Sequence, residues 1–170
     1  SCLRTFAEHV DWIERVAYSP AGSELVTASM DCTAKVWDIE AGRCTRSSIA
    51  LILRTFKAEL CPLFSAAYSP CGQTVALAGA PTGTCAQIWD LRSGSATGIA
   101  LGQGSRSPHE DNVVDAQFSP DGLSVLSGSQ DRTAKLWDLR SGECLRTFTG
   151  HNDGVSAVLF RHDGRQIMTG

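Results

Sequence analysis

The chain has 170 residues, 42% of them hydrophobic and 19% charged, with a formal net charge of −3. This is ordinary globular composition, and it lacks the basic stripe that a nucleic-acid partner requires. The longest apolar run, Ile49 to Leu53, is strand-sized and far too short to span a membrane.

Seven cysteines stand at positions 2, 32, 44, 61, 71, 85 and 144. They include no CxxC and no Cys/His pair at metal-ligand spacing, so no metal is expected. They read as small apolar residues kept as thiols in a reducing compartment, which makes the expected location intracellular, cytoplasmic or nuclear.

Taken in chain order, a first short strand over 2–6 carries Leu-Arg-Thr-Phe, which recurs at 53–56 and 145–148. The next unit predicts strands at 12–18, 24–29, 34–38 and 50–56. In its third strand Ala34 and Val36 share one face, and Lys35 and Trp37 the other. A tight turn, Tyr18-Ser19-Pro20-Ala21-Gly22, joins its first two strands. Proline presets φ there and glycine tolerates a positive φ. The second unit repeats this turn at Tyr68-Ser69-Pro70-Cys71-Gly72, and the third at Phe118-Ser119-Pro120-Asp121-Gly122. Asp131-Arg132-Thr133 forms another tight turn in the third unit. A fourth unit has strands at 155–160 and 165–169 around Phe160-Arg161-His162-Asp163-Gly164.

The turns begin at Tyr18, Tyr68, Phe118 and Phe160, spacings of 50, 50 and 42 residues. Gly142 precedes His151 by 9 residues, whereas Gly42 precedes Glu59 by 17 and Gly94 precedes His109 by 15. The first two units therefore carry 8 and 6 extra residues beside their last strands.

Trp-Asp follows the turn in three units, at 37–38, 89–90 and 137–138. On these motifs the whole chain resembles the WD-repeat (WD40) family. The resemblance implies an all-β fold: a partial WD40 β-propeller of about four blades, each a four-stranded antiparallel sheet, from a ring that is usually seven-bladed. Residues 1–9 would then be the last strand of a preceding blade and 10–58 a blade. Residues 59–108 would form a degenerate blade with an inserted loop, 109–150 a blade, and 151–170 the first two strands of another. A fragment of a longer protein is the expectation; completion of the ring by a second chain is the alternative.

His9, Ser29, Asp31 and Trp37 of the first unit recur in the third as His109, Ser129, Asp131 and Trp137. Serine, histidine and aspartate invite a catalytic-triad reading. A hydrolase needs that set once, and here it occurs twice, so no catalytic residue is expected. The resemblance implies instead an indole–hydroxyl–imidazole–carboxylate chain that satisfies buried polar groups. His151 opens another such set. In the degenerate blade Glu59 stands where histidine is expected and Pro81-Thr82-Gly83-Thr84 replaces the turn. Trp89 remains and would need a different partner, and that blade should be the weaker and more mobile one.

The resemblance also implies a partner surface on the wide face, where first strands begin. By offset it comprises Trp12, Glu14 and Met30, then Asn112, Val114 and Gln130, then Gly154 and Ser156. Trp12 is the leading anchor. Arg92 and Arg140 end Trp-Asp-Leu-Arg, which resembles the box that binds the adaptor of cullin–RING ubiquitin ligases. The function implied is a non-catalytic protein-interaction scaffold in a multiprotein complex, without cofactor and with other proteins as partners. A ligase substrate receptor and the regulatory propeller of a larger enzyme are the alternatives.

Overall fold

In a computed structural model of the chain, residues 5–39, 51–57, 62–79, 86–102 and 108–170 are described. Their regular elements are all strands, and the sequential hairpins build three four-stranded antiparallel sheets and one two-stranded sheet. The first blade is β1 (Ile13–Tyr18), β2 (Glu24–Ser29), β3 (Thr33–Asp38) and β4 (Leu51–Lys57). The second is β5 (Leu63–Tyr68), β6 (Thr74–Gly79), β7 (Ala86–Asp90) and β8 (Ser95–Leu101). The third is β9 (Val113–Phe118), β10 (Ser124–Ser129), β11 (Ala134–Asp138) and β12 (Cys144–Phe148). A final hairpin joins β13 (Val158–Phe160) to β14 (Ile167–Thr169). Of the strand expected at 2–6, only Thr5 and Phe6 lie among the described residues, and Thr5 forms an isolated bridge.

The inserted residues fall in different places in the two blades. In the first they precede β4; in the second β7 and β8 are closely joined and the extra residues follow β8.

The core lies at the seams between sheets. Val26, Val36 and Phe56 of the first blade pack with Leu63, Val75 and Leu77 of the second. Ala76, Ile88 and Leu101 of the second pack with Val113, Val125 and Trp137 of the third. Leu126 and Ala134 pack with Val155 and Val158. The second strands are therefore covered on both faces, and five of the six residues in each of β2, β6 and β10 are buried. Each large aliphatic side chain so buried stabilises the fold by roughly 1.5–3 kcal/mol. The seams also dictate small residues: a Cβ on Gly128 would stand 2.8 Å from Val158 Cγ1 and 2.9 Å from Val155 Cγ1.

The repeated turn explains itself in this geometry. Gly22, Gly72 and Gly122 donate to the carbonyls of Ser19, Ser69 and Ser119 at 2.9 Å. The hydroxyls of those serines accept from Glu24, Thr74 and Ser124 N–H. The three glycines sit at φ near +70°, and Gly72 and Gly122 abut the proline of the preceding blade. An ideal Cβ on Gly72 would lie 3.6 Å from Pro20 Cδ, and one on Gly122 would lie 3.6 Å from Pro70 Cδ. Leu-Arg-Thr-Phe has a similar inter-blade meaning: Phe6 packs edge-on against Trp37 at 5.4 Å, and Phe56 against Trp89 at 5.3 Å.

One cysteine departs from the reading of free thiols. Cys32, at φ 67° in the turn between β2 and β3, is disulfide-bonded, and its partner lies outside the described residues. The position is a partly exposed turn rather than core, so its sulfur can be reached by a second cysteine. A disulfide at Cys32 does not fit cysteines kept throughout as reduced thiols.

Candidate functional site

In the third blade four side chains form a directed chain. Trp137 Nε1–H donates to Ser127 Oγ at 2.8 Å, and Ser127 Oγ lies 2.7 Å from His109 Nε2. His109 Nδ1 lies 2.7 Å from Asp131 Oδ2. The carboxylate can only accept, so Nδ1 carries the proton, and in the neutral ring Nε2 accepts from the Ser127 hydroxyl, which itself accepts the indole proton. That arrangement requires a neutral ring. Burial lowers the His109 pKa and outweighs the opposing bond to Asp131. Burial would raise Asp131, but hydrogen bonds from Thr133, the Glu110 N–H and His109 bring it below the ordinary carboxylate value.

The first blade matches it. Trp37 Nε1 donates to Thr27 Oγ1 at 2.9 Å, His9 Nε2 lies 2.7 Å from that oxygen, and His9 Nδ1 is 2.8 Å from Asp31 Oδ2. Burial would raise the Asp31 pKa, but bonds from Thr33, His9 and the Val10 N–H depress it.

The hydroxyls in these chains correct the sequence reading: they belong to Thr27 and Ser127, not Ser29 and Ser129. Residues two apart on a strand share a face, so both candidates pointed the same way. In the register Trp37 lies opposite Leu25 and Trp137 opposite Val125, which puts residues 27 and 127 next along the ladder. Ser29 and Ser129 shape the turn instead. Their hydroxyls accept from Asp31 and Asp131 N–H and donate to the carbonyls of Asp11 and Asp111.

The fourth unit holds a residue that sequence reasoning missed. His151 Nε2 lies 2.7 Å from Thr169 Oγ1. The histidine-to-hydroxyl separation is 18 residues in all three cases, and that offset would have found it. The same count from Glu59 reaches Leu77, which has no hydroxyl. An alternative partner is expected for Trp89. Its Nε1 is buried with no hydrogen-bond partner among the described residues, as is Gln87 Oε1 on the same strand. Glu59 and 81–84 lie outside the described residues.

These networks fasten the loops at which the first strands begin. Asp31 and Asp131 also accept from Val10 and Glu110 N–H, while Met30 and Gln130 N–H donate to the carbonyls of Trp12 and Asn112. Trp12 is thereby held with its side chain outward, 75% exposed beside Val10 at 91%. Glu14 is exposed and Met30 and Val114 partly so. Asn112 Nδ2 donates to Gln130 Oε1 at 3.0 Å, and Gly154 approaches Gln130 closely. Ser156 is exposed, with its hydroxyl on the Gly170 carbonyl.

A model of the family described as WD domain, G-beta repeat matches residues 1–38, 103–138 and 142–170. The chain belongs to the WD40 repeat family. The stretch left unmatched, 39–102, contains the blade whose tryptophan lacks its network. The chain is similar to nuclear distribution protein PAC1 of Arthroderma benhamiae, 30% identical over 95% of this chain and 34% of that protein. It is 27% identical to nuclear distribution protein nudF of Aspergillus niger, over 100% of this chain and 36% of the relative. A guanine nucleotide-binding protein subunit beta of Zea mays is 28% identical over 95% of this chain and 42% of its own length. The chain thus spans less than half of each of these relatives.

The other predicted WD40 positions, Arg92 and Arg140, are exposed at the turns after β7 and β11. Those turns are held by the aspartate of Trp-Asp: Asp90 Oδ1 accepts from Ser93 N–H at 2.6 Å and Asp138 Oδ1 from Ser141 N–H at 2.7 Å. Asp115, which sequence reasoning passed over, ties the inner strands together. It is buried on β9, accepts from Ser65 Oγ at 2.8 Å and Val158 N–H at 3.1 Å, and pairs with Arg15 at 3.3 Å. Arg15, Ser65 and Asp115 each stand three residues before the turn aromatic, a shared offset that the repeat does display. No helix among the described residues is long and apolar enough to cross a membrane.

Proposed function

We propose that the chain is a protein-interaction scaffold whose partner grips the wide face of the first blade through Trp12. The observation that carries this reading is the contrast at equivalent loop positions. Val10, Trp12 and Met30 present an exposed apolar patch, whereas Glu110, Asn112 and Gln130 present polar groups. Aromatic anchors dominate interface energetics, and an apolar patch held on a rigid loop costs little to order on binding. The histidines behind the patch are engaged at both ring nitrogens, which supports a structural rather than a catalytic role. Membership of the WD40 repeat family supports the same role.

The test is Trp12→Asp combined with Met30→Glu, followed by recovery of co-purifying proteins. Loss of a partner by at least about 2 kcal/mol of affinity is expected, with the unfolding midpoint held. Undiminished recovery from a folded variant would remove this face from the reading.

A further inference from the structure

Among the described residues, the seam between the second and third blades is open where the seam before it is bridged. In the first seam Tyr68 Oη donates to Glu24 Oε2 at 3.4 Å. Arg54 crosses the same seam and donates to the Arg92 carbonyl at 3.1 Å. One blade further on, Phe118 stands for Tyr68 and Thr74 for Glu24. Ladder pairs Ala34–Phe56 and Ala86–Leu101 put Ile99 in the place of Arg54. Phenylalanine has no hydroxyl, threonine is too short, and isoleucine has no polar head, so neither bridge can form. A cavity of about 530 Å³ remains, floored by Ile88, Ile99, Phe118 and Leu139. Cys71 and Asp121, from successive Ser-Pro-x-Gly turns, stand exposed at its mouth.

That mouth carries an anion. Asp121 Oδ1 accepts from Ser119 Oγ at 2.5 Å and from Leu123 N–H at 3.0 Å, and these bonds hold its carboxyl below the usual range. Ser69 Oγ lies 3.4 Å from Cys71 Sγ and lowers the thiol pKa, so the cysteine is a reactive reporter of access to the pocket.

We propose that this pocket docks a short extended segment of another protein, taking an apolar side chain into the seam and an adjacent Lys or Arg onto Asp121. An apolar floor recognises the side chain by burial, and the single carboxylate at the rim selects a cation next to it. The site opens at the turn end of the strands, away from the loop carrying Trp12, and does not depend on that surface being a partner site.

The experiment titrates the dipeptide acetyl-Leu-Arg-amide into the full chain carrying labelled isoleucine methyls. Saturable shifts at Ile88 and Ile99 are expected, with slower alkylation of Cys71 by iodoacetamide at saturation. Asp121→Asn should weaken the dipeptide about two- to fivefold and leave acetyl-Leu-amide unaffected. The triple variant Thr74→Glu, Ile99→Arg, Phe118→Tyr rebuilds the bridges of the first seam and should abolish the shift at Ile88 while the remaining methyl spectrum persists. Absence of saturable shifts at these methyls, or indifference of the dipeptide to Asp121→Asn, would overturn the proposal. So would doubling of the solution mass with the same shifts, because a second copy of the chain would then be the occupant.

Discussion

The second and third blades keep the same strand pairing around their tryptophans and treat the indole N–H in opposite ways. Trp89 lies opposite Val75 as Trp137 lies opposite Val125. Trp137 donates to a serine that engages a histidine, which in turn engages an aspartate; Trp89 donates to nothing among the described residues. The indole has nevertheless stayed, packed at 5.3 Å against Phe56 of the preceding blade. The difference separates two tasks of one side chain. Area and shape hold the seam, while the N–H fastens the loop above it. Among the described residues only the first task is seen in the second blade, and its sheet keeps the strand pairing.

Removing either indole gives the largest expected effect. Trp137→Ala should cost about 3–5 kcal/mol, and Trp89→Ala should cost less by about 1–3 kcal/mol, because no buried acceptor is abandoned there. Urea unfolding of the two variants measures the gap; equal losses would break the comparison. Within the third blade, Ser127→Ala should destabilise by about 1–3 kcal/mol, since it strands the Trp137 N–H. Ser129→Ala should fall near 1 kcal/mol, because it removes only turn bonds. Reversal of that order in the same measurement would return the relay to Ser129.

The smallest effect is one of pH. The unfolded chain takes up a histidine proton near 6.5, and folded His109 does so only at lower pH. Stability is therefore full above 6.5 and declines as pH falls from there through the folded value. Asp131 adds a further loss below its unfolded value of 3.8, again as pH falls through the lower folded value. Unfolding midpoints at pH 7.5 and 5.5 should differ less in His109→Gln than in the unaltered chain.

Much of this was legible in the sequence, and the limits have physical causes. The repeated turns and the third strands were legible from Ser-Pro-x-Gly and Trp-Asp because those residues act locally, in turns that close over three to five positions. Histidine, aspartate and tryptophan were found from their recurrence. The relay hydroxyl was misplaced by two because strand alternation puts positions 27 and 29 on one face, and only the ladder register separates them. Asp115 stayed hidden because its partners Ser65 and Arg15 are 50 and 100 residues away. The open seam was hidden for a similar reason: it arises from three replacements on three strands, each unremarkable alone.

The contact of Phe6 with Trp37, and of Phe56 with Trp89, bears on how such a chain can be copied or rearranged. A sheet duplicated from its first strand to its fourth would carry its tryptophan away from the phenylalanine that covers it. A segment running from one outer strand through the third strand of the following sheet keeps that pair together and carries the proline and glycine of adjoining turns in step. Grafts cut at that offset should join with their seams already matched, whereas grafts cut at sheet boundaries must rebuild two seams at once.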